Sequence, residues 1–488
     1  MSIEHRGSNV MRHSLHGCAE SLMGTRPTRR TLLEHMGAGF GSIALAGLLA
    51  EQASSTGRDP MAVKVPEKKA RAKHVIMLFM DGGPSQHDLF DHKPLLVRDQ
   101  GKPLPLKLPR VLSNTDRLGN ILGPLAKFRQ RGQSGQWISD LLPHIATIAD
   151  ELCVIRSMHC SNPQHGAACL EWHTGSHNLV RPSLGSWILY GLGTDNQNLP
   201  GYITLSQPLD SGGAGMFGSA MLPAVYQGTP LGYGKTPANK AKFQSIERRH
   251  EDARLQQMEL EFARRFNEEQ LQQTGSDGEL EARIKSYELA FRMQTEAPEI
   301  QDVSEESDAT LAAYGIDHPK TADFARQCLL ARRFVERGVR FVQCNTTGWD
   351  HHYGIRGALP GNAMAVDKPV AALIRDLKTR GLLDDTLVIW GGEFGRTPMA
   401  EGEDGRDHNP YGYSMFLAGG GVKAGLSYGR TDDYGFFAVE DKMHVRDLHA
   451  TILLLLGLNH ERLSINYAGL DVRLTGVTEA HIAHKLIA

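Results

Sequence analysis

The longest uninterrupted apolar run with strand character is His74–Met80, HVIMLFM. A run apolar at consecutive positions predicts a central parallel strand covered on both faces rather than one with a solvated side. Similar runs predict further buried strands at Leu152–Met158, Tyr202–Leu205, Val339–Asn345, Thr386–Gly392 and Tyr413–Gly420. Between them the apolar positions recur with helical period. In Thr321–Arg337, the residues Phe324, Cys328, Leu329, Ala331, Phe334 and Val335 largely share a face, and in Lys368–Arg380 so do Val370, Leu373, Ile374 and Leu377. Strands alternating with helices predict an α/β fold, a mostly parallel central sheet flanked by helices.

Residues from about 240 to 300 break this alternation. Leu255, Met258, Phe262 and Phe266 repeat at helical spacing, as do Leu280, Ile284, Tyr287 and Phe291, and the opposite faces are dense in Glu, Arg and Gln. Ser276-Asp277-Gly278-Glu279 fits a capping box opening the second helix. The pattern predicts a helical hairpin inserted into the α/β domain. It would cap the sheet, cover a site or mediate assembly.

Upstream of His74 the pattern is different again. Arg29-Arg30 precedes Leu32-Leu33 and a weakly apolar stretch from Gly37 to Ala50, with Ala44-Leu45-Ala46 as a small-x-small cleavage signal. The apolar stretch is shorter than the roughly 20 residues that span a bilayer. Residues 1–50 therefore resemble a twin-arginine export signal, which implies the twin-arginine machinery as a partner and a periplasmic or extracellular destination. Residues 51–70 are expected to form a loosely ordered linker and 71–488 the folded domain, with no transmembrane span in the mature chain.

Composition adds mostly exclusions. With 41% hydrophobic and 22% charged residues among 488, the chain is ordinary for a globular protein. A net charge of −2 and the lack of a basic stripe argue against a nucleic-acid partner. None of the six cysteines forms C-x-x-C; Cys160 and Cys169 are candidates for a disulfide outside the cytoplasm, buried free thiols being the alternative. The 22 histidines allow a metal site built without thiolates.

In open α/β sheets, ligands bind outside the carboxyl ends of the strands. Asp81 directly follows the first strand, and Asp350, His351 and His352 follow Val339–Asn345 after a short turn. Glu393 follows Thr386–Gly392, and His408 lies just before Tyr413–Gly420. A mixed Asp/Glu/His set favours Zn²⁺ or Mn²⁺, with Mg²⁺ or Ca²⁺ if carboxylates dominate. Arg396 is a candidate either to clamp an anionic oxygen or to pair with a sheet-edge carboxylate. His87, His173, His177 and His449 are candidates to line the same cleft, and Trp349 and Tyr411 to stack on a sugar.

Several segments resemble known families. Leu142–Gly175, Leu383–Gly395 and Val445–Leu458 are similar to segments of the alkaline phosphatase and sulfatase superfamily. The closer resemblance is to a bacterial family, domain of unknown function 1501, carried by DGGPSQHDLFDHKP (Asp81–Pro94), RPSLGSWILYGLG (Arg181–Gly193), GWDHH (Gly348–His352), GGEFGRTP (Gly391–Pro398) and GRDHNPYGYSMFLAGGG (Gly405–Gly421). It covers roughly residues 70 to 480. The resemblance implies an alkaline-phosphatase-like fold holding one or two divalent metal ions through Asp81, Asp350, His352, Glu393 and His408. Two positions depart from the superfamily pattern: Phe394 stands where a paired histidine ligand would be, and His165 where the nucleophilic hydroxyl or thiol would be. An imidazole at 165 could ligate metal, act as general acid or base, or carry a phosphoryl group. The implied activity is metal-dependent hydrolysis of a phosphate or sulfate ester, on a small molecule or a glycan, with His165 and Arg396 as the catalytic candidates. The alternatives are a catalytically degenerate glycan- or anion-binding protein and a structural envelope component.

Overall fold

The computed structural model describes residues 60–109, 117–234, 236–244, 253–274 and 278–488. The export-signal segment and Ser276 and Asp277 of the expected capping box lie outside the described residues.

The sheet is built from β1 (His74–Met80), β2 (Leu152–His159), β3 (Tyr202–Gln207), β4 (Thr229–Tyr233), β5 (Phe341–Thr346), β6 (Thr386–Gly391), β7 (Tyr413–Ala418), β8 (Ser427–Tyr428) and β9 (Met443–His444). Across the sheet the order is β8-β2-β7-β6-β1-β5-β3-β4, with β9 also pairing β2. β1 sits at the centre, parallel to both neighbours, with Ile76 opposite Val342 on one side and Val388 on the other. This is the covered position its unbroken apolar run demanded. Only β7 runs against the other eight strands.

The longer helices among the described residues are α1 (His165–Thr174), α2 (Leu184–Leu192), α3 (Ala253–Thr274), α4 (Gly278–Gln301), α5 (Ala322–Glu336), α6 (Ile355–Thr379) and α7 (Val445–Leu455). Successive strand residues point to opposite faces, so the sheet feeds two cores. Ile76, Leu78 and Met80 pack with α5 and α6, whereas Val75, Met77 and Phe79 pack with α1, α2 and α7. The helix–sheet–helix layering and the α3–α4 hairpin are those expected from the alternation of patterns.

The linker reading needs correction from residue 60 onward. The Lys64 and Lys68 amides donate to Leu192 O and Gly457 O, both at 2.9 Å. Met61 is buried, and the Lys64 ammonium donates to Tyr190 O at 2.6 Å while lying over the rings of Tyr190 and Tyr226. A basic, Pro-containing segment thus straps the ends of α2 and α7, because those ends present carbonyls that extended chain can satisfy. Cys160 and Cys169 are both free and buried, so of the two readings the disulfide is not the one formed.

Two histidines lie deep in the α1/α7 layer. His449 Nε2 donates to Trp172 O at 2.8 Å and His173 Nδ1 to Cys169 O at 2.7 Å. Burial lowers both pKa values to about 4. The folded state keeps these rings neutral while the unfolded chain takes up protons near pH 6.5. Their contribution is therefore complete above about pH 6.5 and declines as pH falls toward 4. Each should cost about 2 kcal/mol of stability between pH 7 and pH 5. Urea unfolding of the H449Q variant should show that much less loss than the parent over the same interval; an equal loss in both proteins would refute the assignment.

Candidate metal centre

The site forms at the carboxyl edge of the sheet, where three loops touch. After β1 the chain turns through Gly82 at φ +119° and Gly83 at φ +75°, conformations that side chains other than glycine rarely adopt. A Cβ on Gly82 would lie 2.5 Å from the Asp350 amide nitrogen, so glycine is what lets the β1 and β5 loops meet. Glu393, two residues beyond β6, accepts the Gly82 N–H at 3.0 Å and fixes the third loop to the first.

Three imidazoles converge on one carboxylate oxygen there. The Nε2 atoms of His165, His352 and His408 lie 3.2, 3.1 and 3.2 Å from Asp350 Oδ1. The ligand atoms of these four residues are all within 4.8 Å of one another. Each ring is held from behind through Nδ1. His165 donates to Glu393 Oε1 at 2.7 Å, His408 to Pro163 O at 2.6 Å, and His352 to Glu401. A carboxylate or carbonyl behind Nδ1 is the arrangement that fixes the tautomer and frees Nε2 to ligate a metal.

His408 makes the point most sharply. A carbonyl only accepts, so the ring proton sits on Nδ1. Burial brings the pKa to about 3, outweighing the pull of the neighbouring Asp350 carboxylate. Its Nε2 lone pair therefore faces a carboxylate oxygen at 3.2 Å, two acceptors with no proton between them. That contact is repulsive unless a cation lies between them. Three imidazole nitrogens and one carboxylate oxygen match Zn²⁺ or Mn²⁺ better than the all-oxygen shells of Mg²⁺ or Ca²⁺. Burial acts to lower the His165 pKa, but Asp350 and Glu393 outweigh it and raise it to about 9. Burial would raise the Asp350 pKa, yet the three imidazoles and Arg396 hold it far below the carboxylate range.

The five residues read as one ligand set are divided by the structure. Asp350, His352 and His408 join His165. Asp81 and Glu393 instead gather with Cys169 in a second, fully buried group whose ligand atoms also lie within 4.8 Å of one another. Cys169 Sγ is 3.8 Å from Asp81 Oδ1, and Ser211 Oγ donates to Asp81 Oδ2 at 3.3 Å. Burial, then the neighbouring Glu393, push the Asp81 carboxyl up to about 7. Glu393 links the two groups, since it also holds His165.

Arg396 takes the second of its two expected roles. It is fully buried and donates to Gly82 O, to Gly83 O and Arg406 O at 3.0 Å each, and to Asp350 Oδ1 at 2.6 Å. Its guanidinium is spent on positioning Asp350 and the Gly82 turn, which leaves no fork for a substrate anion. Phe394 is an apolar wall, its ring centroid 4.9 Å from that of His165 and 4.5 Å from that of His408. His87, His173 and His449 are buried and bonded to backbone carbonyls, and Trp349 is buried in the core. Glu401, Cys169 and the Pro163 carbonyl were not anticipated.

The family model described as "Protein of unknown function (DUF1501)" matches residues 72–487. The chain belongs to this family. No curated protein matches the DUF1501 chain. Among solved structures it is similar to the PsFucS1 sulfatase from Pseudoalteromonas sp., at 15% identity over 80% of this chain and 69% of that one, TM-score 0.34. It is also similar to the lipoteichoic acid synthase LtaP from Listeria monocytogenes, at 12% identity over 90% and 81%, TM-score 0.36. A third is the alkaline phosphatase from the Antarctic bacterium TAB5, at 11% identity over 77% and 97%, TM-score 0.30.

Proposed function

We propose that this DUF1501 protein is an exported, metal-dependent hydrolase of phosphate or sulfate esters, of the alkaline phosphatase and sulfatase kind. The observation that supports it is the convergence of three Nδ1-tethered imidazoles on Asp350 Oδ1 at a sheet edge that opens outward. The Asp350 side chain is 42% exposed there, although Glu393 and Arg396 beneath it are fully buried. His165, Asp350, His352 and His408 would hold the cation, with Zn²⁺ or Mn²⁺ favoured. Bound there, it would supply Lewis-acid polarisation of an ester oxygen.

The chain's own residues have separable tasks. Glu393, Glu401 and the Pro163 carbonyl aim the three rings. Arg396 fixes Asp350, and Phe394 keeps water from two of the rings. The substrate enters from the exposed side of Asp350. A second reading, capture of an anion or glycan without turnover, is favoured by one observation. Ser161, the hydroxyl close to His165 in sequence, donates to Glu171 at 2.6 Å and faces His444 rather than the imidazoles.

The deciding experiment is turnover of aryl phosphate and aryl sulfate by zinc- or manganese-loaded protein, with metal content measured on the same sample. Cleavage that stops on chelation and returns with metal supports the hydrolase. Stoichiometric metal with no cleavage of either ester supports the capture reading. A narrower expectation concerns Glu393→Gln. Replacing the carboxylate behind His165 Nδ1 should weaken metal affinity about 10–100-fold by chelator competition, the range for partners that orient a ligand.

A further inference from the structure

We propose that Glu171 is a positioning residue of the metal centre: through Ser161 it sets the loop that carries the Pro163 carbonyl to His408. The proposal rests on the reading of His165, Asp350, His352 and His408 as a cation site. Glu171 lies on α1, the helix that His165 opens, and is 3% exposed. A carboxylate taken out of water is costly unless charge or hydrogen bonds compensate it. Among the described residues its ion-pair contact is with His444 Nε2 at 3.5 Å, rather than with a lysine or arginine. His444 supplies no counter-charge there. Its Nδ1 accepts from the Arg446 amide at 3.2 Å and from Arg446 Nε at 3.1 Å, so the ring is neutral with its proton on Nε2. That proton goes to Ser161 Oγ at 3.0 Å. The carboxylate is committed to the same serine: Oε2 accepts the Ser161 N–H at 2.8 Å and Oε1 the Ser161 hydroxyl at 2.6 Å. Ser161 is exposed, so an apolar residue at 171 would leave both donors to water at little cost to the fold. Stability does not account for the buried charge.

The place of Ser161 in the chain does. It lies in the loop between β2 and α1, which runs through Asn162 and Pro163 to Gln164. Asn162 Oδ1 accepts the Gln164 N–H at 2.8 Å, a turn internal to the loop, and Pro163 has no N–H with which to anchor itself. Yet the Pro163 carbonyl is the acceptor behind His408 Nδ1 at 2.6 Å, and His165 follows two residues later. Glu171 grips Ser161 from the helix into which the loop feeds. Loop and first turns thereby close into a ring, and Pro163 is confined between two fixed points. Without that grip the nearest anchor upstream is the Cys160 amide, which donates to Pro410 O at 2.9 Å. The carbonyl that aims His408 would then be free to swing. Ser161 thus has a task at the centre although its hydroxyl faces away from the imidazoles.

The test is the zinc affinity of the full chain by chelator competition, with urea unfolding of the metal-free protein alongside. Glu171→Ala should lower affinity about 10–100-fold, the range for partners that orient a ligand, while the unfolding midpoint stays close to the parent's. Glu171→Gln should recover most of that loss, because the amide oxygen can accept the Ser161 N–H and the amide nitrogen can donate to Ser161 Oγ. Ser161→Ala, at an exposed position where folding is not at issue, should lower affinity by less than Glu171→Ala, since the N–H contact survives. In a His408→Ala background Glu171→Ala should lose most of its effect, because the ring it acts through is gone. A general loosening of the fold would weaken both backgrounds alike. Unchanged affinity in Glu171→Ala would overturn the proposal. So would a Gln variant as weak as the Ala variant, which would make the charge and not the loop responsible, or an undiminished effect in the His408→Ala background. A parent chain that binds no zinc would instead overturn the metal-centre reading itself.

Discussion

Asp350→Asn should abolish stoichiometric metal binding, lowering affinity by more than the about 100-fold that marks the upper end for an orienting partner. Asp350 supplies the one oxygen on which all three Nε2 atoms converge and the charge nearest to the cation they would share. The amide keeps an oxygen for the Arg396 hydrogen bond, so the loop is not deprived of its anchor. What is lost is the negative charge, and the buried Arg396 guanidinium beside the three imidazoles is then left without the carboxylate that offsets it against a divalent cation. The same fall is expected for His408→Ala, which removes the ring whose lone pair is most firmly committed. By contrast, Asp81→Asn should leave this affinity within about tenfold, because Asp81 belongs to the neighbouring group, and orienting partners set the scale of such indirect effects. Chelator competition and elemental analysis on the three variants separate the cases. Full metal occupancy in Asp350→Asn, or loss in Asp81→Asn as deep as in the other two, would overturn the division of the site.

That division shows where sequence reasoning stops. β1 was legible to the residue, because an unbroken apolar run has one stable place in an α/β sheet. Asp81, Asp350 and Glu393 were legible as edge residues, since Asp81 follows β1 and the other two follow strands parallel to it. His408 reaches the same edge by a different route: it precedes β7, which runs antiparallel, so the start of β7 lies beside the ends of its neighbours. Strand direction was not in the apolar pattern. Nor was the split into two groups, which depends on which ring nitrogen faces inward and on the Gly82 turn. Cys169 left a trace, since it lies four residues after His165 and shares a helix face with it. Glu401 left none; it sits in a three-residue strand, Met399–Glu401. β4 was missed because Thr229–Tyr233, TPLGY, holds a proline and a glycine, which an edge position tolerates and a central one does not.

Asp88→Ala should be the most destabilising substitution near the site, at about 3–5 kcal/mol, the cost of stripping one partner from a buried ion pair. Asp88 and Arg406 are both fully buried, with Arg406 Nε donating to Asp88 Oδ2 at 3.0 Å. Asp88 also accepts the Ser85 hydroxyl at 2.5 Å and the Leu125 amide at 2.8 Å, so its removal orphans three donors. Replacing a buried pair by apolar residues is often neutral, but that escape is closed here. The Arg406 guanidinium also satisfies Thr397 O at 3.0 Å and Leu122 O and Gly123 O at 3.1 Å, and an apolar residue would leave those carbonyls bare. The double variant Asp88→Leu, Arg406→Met should therefore remain several kcal/mol below the parent, on the order of 1–3 kcal/mol per unsatisfied buried group. Arg406 lies two residues before His408, and its amide donates to His351 O at 2.9 Å, so it ties the loop of one imidazole to the loop of another. Metal affinity should fall together with stability in both variants, measured by urea unfolding with and without zinc. A double variant as stable as the parent would overturn this account, because the loop would then need neither the pair nor its carbonyl contacts.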